Sequence, residues 1–204
     1  MRINYRPTRA AYRELVALAQ TQGGYFTAMQ AAQFGHKPPH LAYHVGVGNF
    51  ERAGHGIYRL PELPYAEHDD LVRLSFWSRG RDDRPQAVAS HQTALAIYDL
   101  SDLLPTKNHL TVPLSFRKPA PKGVVLHRAE LSKEDVRERE GYFITTPLRT
   151  LVDVARDPTI SLEHLITASR QALHRGIVIP YLLNEAIEAH PEAAQLCHAL
   201  SDMR

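Results

Sequence analysis

The sequence predicts an α+β protein with two parts: an N-terminal domain of short helices closed by a β-hairpin, and a mixed α/β domain with a helical C-terminal tail. Helix-start signals crowd into residues 1–62, short β-type runs alternate with helical patterns after them, and prolines mark a linker at residues 61–64. With 204 residues, 44% of them hydrophobic, the chain can bury two small cores. We therefore predict one domain at residues 1–62 and a second at residues 63–204.

The first two helices are indicated by apolar spacing and by a capping signal. From Thr8 onward, apolar residues recur at the spacing of one helix face: Tyr12, Leu15, Val16 and Ala19. Gly23 ends this helix. Thr27 is followed three residues later by Gln30, the spacing of a capping box, so a second helix starts directly after Thr27 and stops at Gly35.

A third helix follows a tight turn. Pro38 and Pro39 fit only the first turn of a helix, so this helix begins there and runs to about Val47. We expect its core face to carry Leu41, Ala42 and Val45. The opposite face is expected to carry His40, Tyr43, His44 and Val47. Three of these four side chains can hydrogen-bond to bases or phosphates, as the exposed face of a recognition helix requires.

A hairpin closes the first domain. Two strand-like runs, at residues 50–53 and 57–60, flank a loop with two glycines, which favour a tight turn. Helix, turn, helix and hairpin in this order are typical of a winged helix-turn-helix, a unit that places a helix in the major groove of DNA. We therefore predict double-stranded DNA as the ligand, with His40, Tyr43 and His44 facing base edges. The phosphate contacts are expected from Lys37, Arg52, His55 and Arg59.

The charge distribution supports a nucleic-acid partner for the first domain. The whole chain has a formal net charge of +2, but residues 1–60 hold seven basic side chains against two acidic ones. Arg2, Arg6 and Arg9 form a basic N-terminal arm, which we expect to reach the DNA backbone or an adjacent groove. The basic character therefore belongs to the N-terminal part of the chain.

Two other uses of this segment remain open. A helix-turn-helix also serves as a protein-interaction module, which would need an apolar patch on the third helix in place of a basic one. The four-residue spacing of His36, His40 and His44 also suggests a metal site. However, the paired prolines place His36 before the helix, and no Cys, Asp or Glu lies nearby to complete a ligand set. We therefore expect no metal here.

The second domain is predicted to be a small sheet with flanking helices. Helical patterns are expected at residues 65–77, 90–98, from Pro147 to about Ala155, and at 162–174, 181–190 and 192–200. Strand-like runs lie at residues 87–89, 110–112, 124–126 and 142–145. The alternation of helical segments and strand-like runs predicts a mixed α/β layer structure with a helical tail.

The polar residues of the second domain favour structural roles. No G-x-S-x-G, P-loop, CxxC or HExxH motif is present, so we expect neither an enzyme nor a cofactor. Arg149 and Asp153 have the i, i+4 spacing of an ordinary ion pair. Ser90 and Thr146 are placed as helix caps, and three histidines lie at element ends: His91, His109 and His127. An enzyme remains the alternative if His91, His127, Arg149 and Asp153 converge on one pocket.

The compartment follows from cysteine usage and hydropathy. Cys197 is the only cysteine, which excludes an internal disulfide and fits a reducing compartment. No apolar run approaches the roughly 18 residues of a membrane helix, and the first residues lack the apolar segment of a signal peptide. We expect a cytoplasmic protein with no membrane partner.

Ordered sequence blocks across residues 20–155 resemble the AbiEi family, the antitoxins of bacterial type IV toxin-antitoxin systems. In the first domain these blocks are GYFT, GH and GNFERAGHGIYRL. In the second domain they are SHQTAL, HLTVP, LHR and TTPLRTLVD. Each block is short, but together their order and spacing are fairly specific to that family.

The resemblance implies a winged-helix repressor of its own operon, joined to a domain that counteracts a nucleotidyltransferase-like toxin. It further implies that the toxin is neutralised without a stable complex. We expect a monomer or weak dimer, since no obvious dimer helix is present. The wing tip departs from the family pattern, because His55 stands where Arg or Lys is expected. A winged-helix regulator with no antitoxin role is the alternative.

Overall fold

The computed structural model describes residues 8–102 and 105–197, and it divides into two compact units. The first unit contains the chain up to residue 86 together with residues 139–142, and the second contains residues 87–138 and the chain from residue 143. Both units contain helices and strands, in agreement with the predicted α+β class. The first unit, however, continues past the predicted boundary at residue 62.

The first unit is a winged helix-turn-helix, as predicted. Its elements in chain order are α1 (Arg9–Thr21), β1 (Tyr25–Thr27), α2 (Ala28–Gln33), α3 (Pro38–Gly46), β2 (Glu51–Gly54), β3 (Ile57–Arg59) and α4 (Asp69–Ser78). The three strands form an antiparallel sheet in the order β1-β3-β2. Strand β1 was not predicted, because three residues are too few to show an alternating pattern.

Local signals fix the helix starts of this unit. The Thr8 side chain accepts a hydrogen bond from the Ala11 amide and caps α1. The predicted capping box is confirmed: the Gln30 amide donates to Thr27 Oγ1 at 3.0 Å, and the Thr27 amide donates to Gln30 Oε1 at 2.9 Å. Lys37 occupies the N-cap position of α3, which begins with the paired prolines.

One core holds the helix-turn-helix and the wing together. Its fully enclosed members come from α1, α2, α3 and the sheet: Leu15, Ala19, Phe26, Ala31, Leu41, Phe50 and Leu60. The Phe26 ring meets the Phe50 ring edge-on, with centroids 5.0 Å apart, and stacks on Tyr58 at 5.7 Å. Leu41 of α3 therefore shares one core with α1, α2 and the wing.

The first unit extends to residue 86 because its sheet is hydrogen-bonded to the segment that follows the wing. The Tyr25 hydroxyl donates to the Asp69 carboxylate at 3.0 Å, and burial beside that carboxylate raises the pKa of Tyr25 to about 12. Thr27 Oγ1 donates to Asp83 Oδ2 at 2.6 Å. The proline-flanked stretch at residues 61–64 is thus a turn within the first unit.

Residues 139–142 also belong to the first unit, and Gly141 is tightly enclosed there. Its φ is +82°, and a Cβ would lie 2.9 Å from the backbone carbonyl carbon of Gln22. We expect Gly141→Ala to lower the free energy of unfolding by about 2–4 kcal/mol, because a left-handed backbone and a clash act together.

The matched control is Gly123→Ala, at a position with a φ of +80° and open space around the added methyl group. Urea unfolding should show a loss of only about 1 kcal/mol for this variant. Equal losses for the two variants would mean that the clash at Gly141 is relieved by movement of its neighbours.

The second unit is a five-stranded mixed sheet with helices, as predicted. Its elements are β4 (Val88–Ala89), α5 (His91–Ile97), β5 (Asn108–Val112), β6 (Val124–Arg128), β7 (Val136–Glu138), β8 (Phe143–Thr145), α6 (Pro147–Ala155), α7 (Leu162–His174) and α8 (Pro180–Ala189). The strand order is β6-β5-β4-β8-β7. Pairs β4-β8 and β5-β6 are parallel, and pairs β4-β5 and β7-β8 are antiparallel. The short strand β7 was not predicted.

Helix α6 is the central helix of this unit, since every residue except Leu148 is buried. Thr146 accepts a hydrogen bond from the Arg149 amide, which confirms its predicted capping role. The predicted last helix, at residues 192–200, is instead a 3₁₀ helix (Pro191–Leu196) with a kink at Ala193, and residues 198–200 lie outside the described part. Among the described residues, no helix combines the length and the apolar character needed to span a bilayer.

Candidate nucleic-acid interface

The exposed stripe of α3 consists of small and apolar side chains around one tyrosine. Tyr43 is 65% exposed and Val47, just after the helix, is 52% exposed. Pro39, Ala42 and Gly46 are exposed at the same helical spacing. The prediction that Ala42 faces the core is therefore wrong. Of the three residues predicted for the core face of α3, only Leu41 is fully buried. The buried face of the helix is therefore narrower than predicted.

His44 is not on the exposed face, contrary to prediction. Its ring lies against Phe50, with centroids 4.6 Å apart, and also stacks on Tyr12 at 6.3 Å. Its Nδ1 lies 3.0 Å from the Asn49 side-chain nitrogen. Burial lowers the pKa of His44, and the neighbouring His40 adds to this effect. His44 is therefore a supporting residue of α3 and does not face base edges.

The side chain of His40 caps the helix on which it lies. Its Nδ1 accepts a hydrogen bond from the Lys37 amide at 3.4 Å, and the ring is half-buried. Lys37 itself is exposed, at the positive end of the α3 dipole. The turn before α3 therefore presents one exposed cation to a phosphate. It offers no amide from the first two helix positions, which are prolines.

His36 fills the turn between α2 and α3. Its side chain is 1% exposed, lies among the rings of Tyr12, His44 and Phe50, and has no hydrogen-bond partner for either ring nitrogen. Burial lowers the pKa of His36 to about 4, helped by the neighbouring histidines. The three histidines do not converge as ligands, and in the described part of the chain no group of three His, Cys, Asp or Glu side chains is arranged to hold a metal ion.

The wing presents two of its three predicted contact residues. Arg52 and His55 are exposed, and Gly56, with a φ of +67°, turns the hairpin. Arg52 lies opposite Tyr58 in the register of β2 and β3. Directly paired residues share a face of the sheet, and Arg52 is exposed on that face because β2 is the edge strand.

Arg59 is a structural residue, which corrects its predicted phosphate role. It is 3% exposed, its guanidinium lies 3.7 Å from the centre of the Tyr65 ring, and it donates to the Leu63 carbonyl. A contact of 3.7 Å to Glu51 offsets its charge. Arg59 thus ties the wing to the following segment and cannot reach DNA.

The stretch of chain that forms α2 and α3 contains no carboxylate, although Asp83 approaches the N-terminus of α2. No Asp or Glu occurs between Glu14 and Glu51, and Lys37 is the one basic residue in that stretch. The first unit as a whole has twelve basic and nine acidic side chains, because residues 61–86 add more acidic than basic groups. Arg9 is exposed at the start of α1, whereas Arg2 and Arg6 of the predicted arm lie outside the described residues.

Gly46 was not predicted as a functional residue. Its backbone is ordinary for a helix, a Cβ would meet nothing within 4 Å, and Gly48 provides the left-handed residue after the helix. Glycine near a helix end destabilises it relative to alanine, so the fold does not explain this residue. The sequence signal that could have identified Gly46 is a glycine on the face of α3 that was predicted to be exposed.

Three histidine rings come together in the second unit. The rings of His91 and His127 stack with centroids 3.5 Å apart, and His109 Nδ1 lies 3.0 Å from His127 Nε2. Burial lowers the pKa of all three, and that of His91 falls to about 3. His109 was noted in the sequence but not counted among the candidates, because the pairing of β5 with β6 is not visible in a local pattern.

His91 occupies a strained turn between β4 and α5. Its φ is +50°, which is uncommon for a residue with a side chain and is concentrated at functional sites. Its Nδ1 lies 2.9 Å from Ser90 Oγ, which also accepts from Thr111 Oγ1 at 2.8 Å. The Ser90 hydroxyl therefore orients His91 and makes no capping hydrogen bond, contrary to prediction.

Arg149 and Asp153 form the predicted i, i+4 ion pair. Arg149 Nε donates to Asp153 Oδ1 at 2.8 Å, and Arg149 Nη1 donates to Asp135 Oδ2 at 3.0 Å. Burial raises the pKa of Asp153, against the opposing effect of Arg149. The four candidates for an enzyme site thus form two pairs. A cleft of about 490 Å³ in the same unit is lined by other residues, among them Asp99, His174 and Arg175.

The comparisons with known proteins confirm the family resemblance for the first unit. A family model described as "Transcriptional regulator, AbiEi antitoxin" matches residues 13–61, which contain the helix-turn-helix and the wing. Among solved structures, the chain is similar to the RV2827C protein from Mycobacterium tuberculosis, with 18% identity and a TM-score of 0.58 over 97% of this chain and 78% of that one. This likeness shows a shared fold. No curated protein matches the sequence.

Proposed function

We propose that this protein, whose residues 13–61 belong to the AbiEi antitoxin family of transcriptional regulators, represses its own operon and acts as the antitoxin of a type IV toxin-antitoxin system. The first unit binds double-stranded DNA through α3 and the wing. The second unit counteracts a nucleotidyltransferase-like toxin without a stable complex. The protein works in the cytoplasm as a monomer or weak dimer.

The observation that carries the DNA-binding half is the absence of Asp and Glu from residues 15–50, which include α2 and α3, together with the exposed cations Lys37 and Arg52. A polyanion is repelled by carboxylates and attracted by cations at the edges of its footprint. His55 adds a hydrogen-bonding group at the wing tip. With Arg59 enclosed, the phosphate contacts come from Lys37, Arg52, His55 and the N-terminal segment that begins α1.

The salt dependence of binding tests these contacts. Replacing both Lys37 and Arg52 by Ala should reduce the slope of log K against log[salt] by about 1.8, since each phosphate contact contributes about 0.9. Affinity should fall alike for all duplexes, because phosphate contacts carry no sequence information. The measurement is a gel-shift titration of DNA from upstream of the gene at several salt concentrations.

The control is Arg84→Ala, which removes an exposed arginine of the same unit, 3.8 Å from Asp82. It should leave the slope unchanged. A double variant with the wild-type slope would show that Lys37 and Arg52 do not contact phosphate.

The antitoxin half depends on the second unit, where the stacked histidines are the candidate residues. We expect His127→Ala to impair rescue of cells from the product of the neighbouring toxin gene, because His127 is the most accessible ring of the cluster. DNA binding by the same variant should be unchanged. Full rescue by this variant, with normal protein levels, would exclude the cluster from neutralisation.

A protein-interaction role for the helix-turn-helix is the second candidate, and the apolar exposed stripe of α3 favours it. Such a surface would bury Tyr43 and Val47 against another protein. It predicts that Val47→Asp abolishes self-association or partner binding and that DNA does not bind at all. The absence of Asp and Glu from the stretch that forms α2 and α3 has no explanation under this candidate.

A further inference from the structure

The exposed stripe of α3 offers no side chain that reads guanine or adenine by paired hydrogen bonds. In the major groove, guanine is read by Arg or Lys and adenine by Asn or Gln, whereas the thymine 5-methyl group is met by apolar side chains. The stripe presents Ala42, Tyr43, Gly46 and Val47. His40 and His44 of the same helix are turned to the Lys37 amide and to Asn49.

We propose that α3 recognises thymine methyl groups in the major groove, so that its operator is rich in A·T pairs where the helix lies. This inference rests on the proposed DNA-binding function and specifies what that site reads. The methyl groups of Ala42 and Val47 and the ring of Tyr43 contact the thymine methyls. Sequence preference then comes from apolar contact, and the flanking Lys37 and Arg52 supply the sequence-independent attraction.

Gly46 provides independent support, because the fold does not require a glycine there. Its conformation suits any residue and a Cβ would enter open space. The absence of a side chain at this position allows the α3 backbone to approach another molecule closely. An A·T-rich major groove with protruding methyl groups needs such a gap, since a side chain at position 46 would hold the helix away from the bases.

The sharpest probe is replacement of thymine by uracil in the DNA, which removes the methyl group and keeps base pairing and charge. The footprint within the upstream region is located first, and the duplex is then synthesised with uracil inside the footprint or outside it. Uracil inside should weaken binding about threefold to fourfold for each contacted methyl, from the free energy of burying one methyl-sized group. Uracil outside should have no effect.

Two variants connect the effect to α3. With Val47→Ala, the penalty for uracil should shrink, because one of the contacts is already lost. Gly46→Ala should weaken binding to thymine-containing DNA while the thermal unfolding temperature stays the same or rises. If Gly46 had a structural role, Gly46→Ala would instead reduce the stability of the protein and leave the DNA affinity of the folded protein unchanged.

The outcomes separate this inference from the proposed function. Equal binding to thymine and uracil footprints, with normal salt dependence, would overturn methyl recognition and leave DNA binding intact. Absence of binding to any duplex would overturn the proposed function itself. Concentration-dependent self-association that Val47→Ala abolishes, without DNA binding, would show that the stripe is a protein-docking surface and would also overturn the inference.

Discussion

Arg149→Met is expected to lower the free energy of unfolding of the second unit by about 3–5 kcal/mol, the cost of leaving a buried charge without its partner. Asp153 is 4% exposed, its Oδ1 is bonded to Arg149 Nε at 2.8 Å, and its Oδ2 has no partner. Removal of the guanidinium leaves this carboxylate uncompensated inside the unit. Chemical denaturation at neutral pH, with far-ultraviolet circular dichroism, measures the loss.

The pH dependence of this variant follows from the sign of the Asp153 shift. Its pKa is already raised by burial, and loss of Arg149 removes the main influence that lowers it. A carboxyl group whose pKa is raised by folding destabilises the folded state above its unfolded pKa, and this effect fades as pH falls. The difference between Arg149→Met and wild type should therefore shrink in acid.

A double variant separates charge burial from loss of packing. Arg149→Met combined with Asp153→Leu should recover most of the stability, because well-packed apolar residues can replace a buried ion pair. The control Arg84→Met breaks the exposed pair with Asp82 and should cost less than about 1 kcal/mol. A double variant as unstable as the single one would show that the hydrogen bonds of Arg149, and not the buried charge, stabilise α6.

His36→Leu is expected to protect the first unit against acid. The folded pKa of His36 is about 4, below the ordinary value of 6.5, so the unfolded state binds more protons between these values. Stability is therefore lost as pH falls through 6.5 toward 4, by about 2 kcal/mol at pH 5. His36→Leu should not lose stability in this way as the pH falls. It also removes two buried ring nitrogens that have no hydrogen-bond partner, which favours the folded state at pH 7 as well.

The fluorescence of Trp77, the only tryptophan, reports on this unit because Trp77 lies in α4. Urea unfolding is compared at pH 7 and pH 5 for wild type, His36→Leu and the control His55→Leu, which removes an exposed imidazole from the wing tip. His55→Leu should keep the acid sensitivity of wild type. An equal loss for wild type and His36→Leu would mean that other groups carry the acid response.

Elements with strong local chemistry could be predicted from the sequence. The capping box at Thr27 and Gln30, the proline start of α3 and the helix Leu162–His174 follow from residues close together in the chain. Their signals are hydrogen bonds and dihedral restrictions within a few residues. The order of these elements was sufficient to identify the winged helix-turn-helix.

Orientations that depend on distant segments could not be predicted. Arg59 is enclosed because Leu63 and Tyr65 turn back over it, and His44 is drawn inward by Phe50. Helical spacing allowed either face for His44, since it lies between the core stripe and the exposed stripe. The histidine cluster requires the register of β5 and β6, which pairs Thr111 with His127. Fifteen residues separate these two positions, and no local pattern connects them.

The central claim, that the winged helix-turn-helix unit binds double-stranded DNA, is tested most directly by fluorescence anisotropy. A labelled duplex from upstream of the gene is titrated with the full chain at several salt concentrations. We expect saturable binding whose log K falls linearly with log[salt], because Lys37 and Arg52 displace counterions from phosphates. The absence of saturable, salt-dependent binding at micromolar protein would contradict the claim.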